Sequence, residues 1–401
     1  MNRRIVIIGA GFAGMWSALG AARVLDAAGK ADAVEIVLIA PEPFLHMRPR
    51  FYETGAAQMK APLTELFAAV GVRFVAGRVE HIRTGRREVD IVGADGAPGT
   101  LAYDKLVLAT GSRLFMPAVA GLREHAFSVD QLEDAAVLET HLWGLPRFAD
   151  SPARNTVVVA GGGFTGIETA AEMPARLRSI LGENTAVRVV VVEQADAIGP
   201  DLGAGPRPVI TQALAALGVE TRLNASVTAI DADGLTTSTG ERIDAKTVIW
   251  TAGLRASDLT QQIPGPRDRM GRLHVDRELR VEGVADVFAT GDVAYAATDD
   301  AGHHAMMSCQ HALGLGRFAG HNVAADLLGL PLRAYSQPRY TTCLDLGPWG
   351  AVLTLGWDRD VKLTGAEAKS VKQMINGKLI YPPRADRREA LAAADPDAMN
   401  A

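Results

Sequence analysis

Residues 5–14, IVIIGAGFAG, decide the fold of this chain. The first four are apolar and mostly β-branched, which is typical of a parallel strand covered on both faces. A glycine loop follows, and residues 13–25, rich in Ala and Leu, have the composition of a helix. Together with the apolar run from Val34 to Ile39, this stretch predicts one β-α-β unit.

The same order of elements recurs near the middle of the chain. A strand pattern at residues 156–160 is followed by the loop GGGFTG at 161–166, a helix through about Leu181 and a strand pattern at 187–193. Further apolar runs end in small residues at 106–111, 248–253 and 287–292. Each of these runs is typical of a strand that ends in a tight turn next to a bound ligand.

Both glycine loops have the spacing G-x-G-x-x-G, directly after a strand and at the start of a helix. The first glycine permits the tight turn, the second lets the backbone approach a pyrophosphate, and the third packs the helix on the strand. The phosphates then face the positive end of the helix. The candidate binding residues are Gly9, Gly11, Phe12, Ala13 and Gly14 in the first loop and Gly161, Gly163, Phe164, Thr165 and Gly166 in the second.

We therefore predict an α/β fold with two Rossmann-like dinucleotide-binding domains, the second inserted in the first, and a small α+β C-terminal domain. The expected boundaries are 1–118 and 255–322 for the first domain, 119–254 for the second and 323–401 for the third. The last residues, 384–401, are Ala-rich and charged, and we expect them to be frayed.

An acidic residue at the end of the second strand of such a unit accepts hydrogen bonds from a ribose diol. In the second unit this residue is Glu193, whose carboxylate would repel a 2′-phosphate, so we predict a preference for NADH over NADPH. In the first unit Ala40 occupies the expected position. Glu42 is the candidate substitute, and a solvated loop glutamate is the equal alternative.

Composition excludes several other classes of protein. The formal net charge is -5 and the basic residues are scattered, which argues against a nucleic-acid partner. The two cysteines, Cys309 and Cys343, indicate neither a disulfide scaffold nor a zinc site, and we expect no metal. No run approaches the roughly 18 apolar residues of a membrane span. A cytoplasmic location is the resulting expectation.

In combination, these loops and turns resemble the two-dinucleotide-binding-domain flavoproteins of the pyridine nucleotide-disulfide oxidoreductase superfamily. Within it the chain looks most like the type II NADH dehydrogenases and the apoptosis-inducing-factor-like oxidoreductases. The resemblance covers roughly residues 3–330, and its most specific pieces are GFTGIE at 163–168, WTAG at 250–253 and TGD at 290–292. It implies FAD on the first domain, NADH on the second and an enzyme that passes hydride from NADH to the flavin.

The resemblance also implies roles for individual residues. Asp292 would hold the ribityl chain, Val79 would contact adenine through its backbone, and Glu168 would lie beside the nicotinamide. A helix that begins near Ser308 would point at the flavin, with Gln310 on the acceptor side. The other candidates are Arg48, Thr110, Gly111, Gly253 and Gly291 for the cofactors and His304 for proton delivery to the acceptor.

The acceptor stays open at this stage. The leading hypothesis is a quinone or a similar small molecule. Gln310 matches the family pattern, but Gly314-Leu315 stands where the family usually has a Gln-Gln pair. The alternatives are a ferredoxin or rubredoxin reductase and a redox-sensing NAD- and FAD-binding protein. A homodimer and peripheral membrane contact also stay open. For Lys362, Lys369, Lys372 and Lys378 a solvated helix face is favoured over contact with anionic lipid.

Overall fold

Two sheets built around parallel strands organise the chain, in a computed structural model that describes residues 3–399. The helices α1 to α9 are Phe12–Ala27, Thr64–Val70, Leu122–His125, Leu132–Gly144, Phe164–Leu181, Arg207–Ala216, Cys309–Leu328, Gly365–Met374 and Arg387–Ala393. The strands β1 to β23 are Arg3–Ile8, Val34–Ala40, Phe44–His46, Lys60–Pro62, Val72–Arg83, Glu88–Gly93, Pro98–Ala102, Lys105–Leu108, Ser112–Leu114, Thr156–Ala160, Arg188–Val192, Val219–Arg222, Val227–Asp231, Gly234–Thr237, Arg242–Asp244, Thr247–Trp250, Leu254–Ala256, Leu273–His274, Val287–Ala289, Ala294–Tyr295, Thr341–Asp345, Ala351–Leu355 and Asp360–Thr364.

The larger sheet has seven strands in the order β19-β8-β1-β2-β5-β6-β7. The first five are parallel and the last two are antiparallel. Residues 5–8 of β1 are buried, as expected for a strand covered on both faces. Parallel strands end at the same edge of a sheet, so the turns after β1, β8 and β19 meet there.

The second sheet is parallel throughout, in the order β12-β11-β10-β16, and the antiparallel sheet β13-β14-β15 follows β12 in the chain. Strand β9 lies before this sheet in the sequence and β17 lies after it, and the two pair antiparallel. The chain therefore leaves and re-enters the first unit through one two-stranded ribbon. The predicted fold, with the second Rossmann-like unit inserted in the first, is confirmed.

The C-terminal part contains the antiparallel sheet β21-β22-β23 and helix α8, which a π-helix extends over Ile375–Leu379. Its predicted start at residue 323 lies inside α7, which continues to Leu328. Helix α7 continues because residues 322–325 are buried, and Asn322 donates to the carbonyl oxygens of Glu278 and Arg333.

The tail that we expected to be frayed is ordered over the residues that the structure describes. Helix α9 begins after Asp386, whose side chain accepts a hydrogen bond from the Glu389 amide at 2.8 Å. Ala390 and Leu391 are buried, and α9 packs against α1 and α2. The alanines that suggested fraying are the small residues that this packing requires. Residues 400–401 lie outside the described part.

Among residues 3–399, none of the helices combines the length and the apolar character that crossing a bilayer requires.

Candidate active site

The first glycine loop forms an open cradle between β1 and α1. Helix α1 begins after Gly11, and no side chain caps its free amides. A Cβ on Gly14 would lie 1.9 Å from the Gly9 carbonyl oxygen, so only glycine fits at this contact of helix and strand. A Cβ on Gly11 would meet no protein atom within 4 Å. The space beside Gly11 and the uncapped amides therefore fit a pyrophosphate.

The second loop repeats this geometry between β10 and α5. Helix α5 begins after Gly163, again without a side-chain cap. A Cβ on Gly166 would lie 1.9 Å from the Gly161 carbonyl oxygen, whereas one on Gly163 would meet nothing within 4 Å. Two separate cradles in one chain thus have the shape that two dinucleotides need.

Glu193 is hydrogen-bonded to the second glycine loop. Its carboxylate is buried and accepts hydrogen bonds from the amides of Gly162 at 2.6 Å and Ala195 at 2.8 Å. Each carboxylate oxygen has more than one acceptor position, so both can still accept from a ribose hydroxyl. The negative charge is held where a 2′-phosphate would otherwise approach the loop.

The two candidates on the adenine side of the first unit lie at the part of the sheet that contains β2 and β5. Glu42 follows β2 and contacts Nε2 of His46 at 2.7 Å and Nζ of Lys60 at 3.5 Å. Val79 is buried in β5, where it pairs with Ile91 beside a register shift. The roles of Glu42 and Val79 stay predictions.

Asp292 lies at the sheet edge where the turns after β8 and β19 meet. It accepts a hydrogen bond from the Ser112 hydroxyl at 2.6 Å and lies 3.5 Å from the Arg48 guanidinium. Arg48 also donates to Ser112 at 2.9 Å and pairs with Asp130. The structure thus brings together Arg48 and Asp292, which the sequence analysis assigned separately.

Two threonine hydroxyls at this edge lack a hydrogen-bond partner within residues 3–399. They belong to Thr110 and Thr290, which immediately precede Gly111 and Gly291. Both glycines have positive φ, at 66° and 68°. Buried hydroxyls are normally hydrogen-bonded, so this edge provides unused polar groups for a polar ligand.

Glu168 lies in the second turn of α5 and is almost fully buried. Its Oε1 accepts hydrogen bonds from Nζ of Lys372 at 2.8 Å and from the Asp345 amide at 3.0 Å. Burial raises the pKa of Glu168 to about 7, although the Lys372 ammonium acts in the opposite direction. A carboxyl group with this pKa exchanges a proton near neutral pH.

Lys372 shows that the solvated-face interpretation of the α8 lysines was wrong for this residue. Its side chain is 6% exposed, and its Nζ lies 5.6 Å from the Phe164 ring centroid, at the start of α5. The signal that was missed is the spacing of Ala368, Lys372 and Ile375, which places the lysine on the stripe of α8 that faces the protein. Lys369 is likewise paired, with Asp345 at 2.5 Å.

Helix α7 begins with the predicted cap. The Ser308 hydroxyl accepts from the His311 amide at 3.4 Å and contacts His311 Nδ1 at 3.0 Å. Cys309 and Gln310 form the first turn, and burial raises the pKa of the Cys309 thiol. A raised pKa disfavours the reactive thiolate, which supports a structural rather than a catalytic role for Cys309.

His304 lies on the segment that precedes α7. Its ring stacks on Tyr295 with centroids 4.1 Å apart, and its Nδ1 contacts the Gly302 carbonyl oxygen at 3.1 Å. The neighbouring His303 is bound to Asp299 at 2.6 Å and stacks on Trp357. The role of His304 in proton delivery stays a prediction. The cofactor-binding role of Gly253, which has a φ of 79° and lies next to Phe115, also stays a prediction.

A fold with two Rossmann-like units, each with an uncapped helix start at a G-x-G-x-x-G loop, and a buried acid beside the second loop is typical of an oxidoreductase that uses two dinucleotides. The sequence profile of the pyridine nucleotide-disulphide oxidoreductases matches residues 3–316, and the chain belongs to this family. This membership confirms the predicted enzyme class, an NAD(P)H oxidoreductase.

Similar proteins agree with this assignment. An NADH dehydrogenase-like protein of Mycobacterium tuberculosis is 48% identical over 398 residues, which cover 98% of each chain. The demethylphylloquinone reductase of Synechocystis is 30% identical over 382 residues, 93% of this chain and 91% of that one. The structure of NDH2 from Plasmodium falciparum in complex with NADH superimposes with a TM-score of 0.78 over 99% of this chain and 98% of that one. At 14% identity this likeness shows the fold alone.

Proposed function

We propose that the chain is a cytoplasmic, FAD-dependent NADH:quinone oxidoreductase. The observation that carries the proposal is the buried Glu168–Lys372 pair. It lies beside the second cradle, with Nζ of Lys372 5.6 Å from the Phe164 ring centroid, and it is close enough to influence the pKa of Cys309, the first residue of α7. FAD belongs to the first domain and NADH to the second. Relatives named as quinone reductases support a quinone as the acceptor.

When bound, FAD supplies a two-electron carrier that accepts hydride from NADH and passes the electrons to the acceptor. The chain itself binds, orients and supplies protons. The amides at Gly11 and Gly163 would hold the two pyrophosphates, and Asp292 would accept from a hydroxyl of the ribityl chain. The positive end of α7 would stabilise negative charge that develops on the flavin.

Glu168 is the group best placed to hold a proton for the acceptor. Lys372 keeps its carboxyl group in position and keeps its pKa from rising further above about 7. We assign Glu168 as the proton donor and Gln310 as a residue that orients the acceptor, with His304 as a second candidate donor.

Anaerobic mixing in two steps tests the proposed function. NADH is expected to bleach the flavin absorbance of the purified protein, and a water-soluble naphthoquinone is expected to restore it in the second step. Bleaching without reoxidation by the quinone would instead support the ferredoxin-reductase or redox-sensing alternatives. Protein that binds neither nucleotide after reconstitution with FAD would contradict all three.

Nucleotide preference gives a separate prediction for Glu193. Glu193→Ala is expected to reduce the preference for NADH over NADPH by about tenfold, because it removes the carboxylate that repels a 2′-phosphate. The measurement is kcat/KM for each nucleotide. Glu193→Gln is the matched control, since its amide oxygen can still accept from the Gly162 amide without the charge. Full discrimination in both variants would show that another residue selects the nucleotide.

A further inference from the structure

Asp345, the last residue of β21, is a buried charged residue that the proposed mechanism does not use. Its side chain is 6% exposed. Its backbone amide donates a hydrogen bond to Glu168 Oε1 at 3.0 Å, and the same oxygen lies 2.8 Å from Nζ of Lys372. Asp345 therefore supplies a neutral donor to the buried carboxyl group beside the charged donor that Lys372 supplies.

The carboxylate of Asp345 is fixed by donors from three separate segments of the chain. Its Oδ1 accepts from the Gly347 amide at 2.9 Å, within its own turn, and from Nζ of Lys369 on α8 at 2.5 Å. Its Oδ2 accepts from the hydroxyl of Tyr52, in the segment between β3 and β4, at 3.1 Å. A buried carboxylate with both oxygens hydrogen-bonded in this way has little freedom to move.

The turn that follows Asp345 is packed tightly against α5. Gly347 has a φ of 60°, and a Cβ on it would lie 2.3 Å from the carbonyl oxygen of Ala171, so only glycine fits there. Ala171 lies one turn after Glu168 on α5. Because the turn and the carboxylate are both fixed, the amide of Asp345 cannot leave Glu168 without breaking these contacts.

The amide and the carboxylate of Asp345 act on Glu168 in opposite directions. Burial is the largest influence on the pKa of Glu168 and raises it, whereas the Lys372 ammonium and the Asp345 amide lower it. The negative charge of Asp345 raises the pKa of Glu168, and Lys369 neutralises part of that charge. The other titratable groups that interact with Glu168 or Asp345 from the surrounding elements are Tyr52, Glu172, Cys309 and Cys343.

Reduction of a quinone by NADH makes the protonation of Glu168 important. NADH supplies two electrons and one proton as hydride, whereas formation of the quinol needs two electrons and two protons. In the proposed function Glu168 donates the second proton, which it can do only while it is protonated and held in position. A glutamate with the ordinary pKa of 4.5 would be ionised at pH 7, so the surroundings of Glu168 decide whether it can act.

We infer that Asp345 is the positioning residue for Glu168. Its amide fixes the carboxyl group in place, and its carboxylate, paired with Lys369, keeps that group able to hold a proton at neutral pH. This inference rests on the proposed function, in which Glu168 is the proton donor. Asp345 itself passes no proton, because its contact with Glu168 is made through the backbone amide.

Two substitutions with opposite expected effects test the inference. Asp345→Asn keeps the size of the side chain but removes its negative charge, whereas Lys369→Met leaves that charge without its partner. The rate of flavin reoxidation by the naphthoquinone falls as the pH rises through the pKa of the proton donor. The midpoint of this fall is expected to move down by about one pH unit in Asp345→Asn and up by about half a unit in Lys369→Met. Asp360→Asn, at an aspartate that is 69% exposed and pairs with Lys362, is the control and is expected to keep the midpoint.

An infrared titration of the Glu168 carboxyl band in the resting holoprotein gives a second readout that needs no turnover. The band is identified by its absence in Glu168→Gln, and its midpoint is expected to move in the same two directions. Lys369→Met carries the test alone if Asp345→Asn does not fold.

An unshifted midpoint in either folded variant, or shifts in one direction in both, would overturn the inference and leave Asp345 with a structural role only. Failure of the quinone to reoxidise the unsubstituted protein would instead refute the proposed function. In that case the infrared titration would still report on the effect of Asp345 on Glu168.

Discussion

Gly163→Ala is expected to give a yellow protein that NADH no longer bleaches efficiently. The backbone at Gly163 has φ -77° and ψ -170°, which alanine adopts readily, and the added Cβ meets no protein atom within 4 Å. The methyl group would instead occupy the space through which a pyrophosphate approaches the start of α5. We expect NADH affinity to fall on the order of a hundredfold, or about 2.7 kcal/mol, with FAD retained.

Gly11→Ala is the matched substitution in the first cradle. It is expected to give folded protein that is colourless after purification and whose affinity for FAD is reduced by a similar factor. Gly144→Ala, at the last residue of α4, is the control, because a Cβ there is equally free of contacts but lies outside both loops. Retained FAD in Gly11→Ala together with full NADH affinity in Gly163→Ala would contradict the assignment of the two cradles.

Lys372→Met is expected to destabilise the protein increasingly as the pH rises. In the unfolded chain the pKa of Glu168 has its ordinary value of 4.5, and in the folded protein it is about 7. The folded state therefore retains the proton longer, and Glu168 reduces the free energy of unfolding as the pH rises from 4.5 to 7. Without Lys372 the folded-state pKa rises further, so this loss continues above pH 7.

The size of the effect follows from the burial of the pair. Removing one partner of a buried ion pair costs ~3 to 5 kcal/mol when the remaining charge is forced to ionise, and less where it can stay protonated. Urea unfolding between pH 5 and 9 measures the difference between Lys372→Met and the unsubstituted protein. Lys362→Met, at a lysine that is 47% exposed and pairs with Asp360, serves as the exposed control. A difference that does not change with pH would show that Glu168 is not the group stabilised by Lys372.

The parts of the fold that the sequence predicted are those with strong local signals. The strand, glycine loop and helix at residues 5–25 and 156–181 have the predicted type. Helix α1 begins one residue before its expected start at 13, and α5 begins at Phe164, two residues before the end of the predicted loop. These signals are local because a β-branched strand, an obligatory glycine and a helix start each depend on a few neighbouring residues. The prediction of Ser308 as the cap of α7 also rests on a local signal, and it is confirmed.

The parts that the sequence misjudged depend on distant partners. The tail after residue 384 is Ala-rich and charged, and only its packing on α1 and α2 orders it. The expected boundary at 323 falls inside α7, which the buried Asn322 holds through hydrogen bonds to segments distant in the sequence. In each case the composition is the same whether the segment is packed or solvated.

What the linear order of residues settled for this chain is its two glycine loops at helix starts and the family to which it belongs. Three glycines at this spacing after a strand permit the tight turn, the close approach of the backbone to a phosphate and the packing of the helix on the strand. What folding alone decided is the state of the ionisable groups. Lys372, far along the chain, becomes the partner of Glu168 only when α8 packs beside α5. The same packing removes both side chains from water.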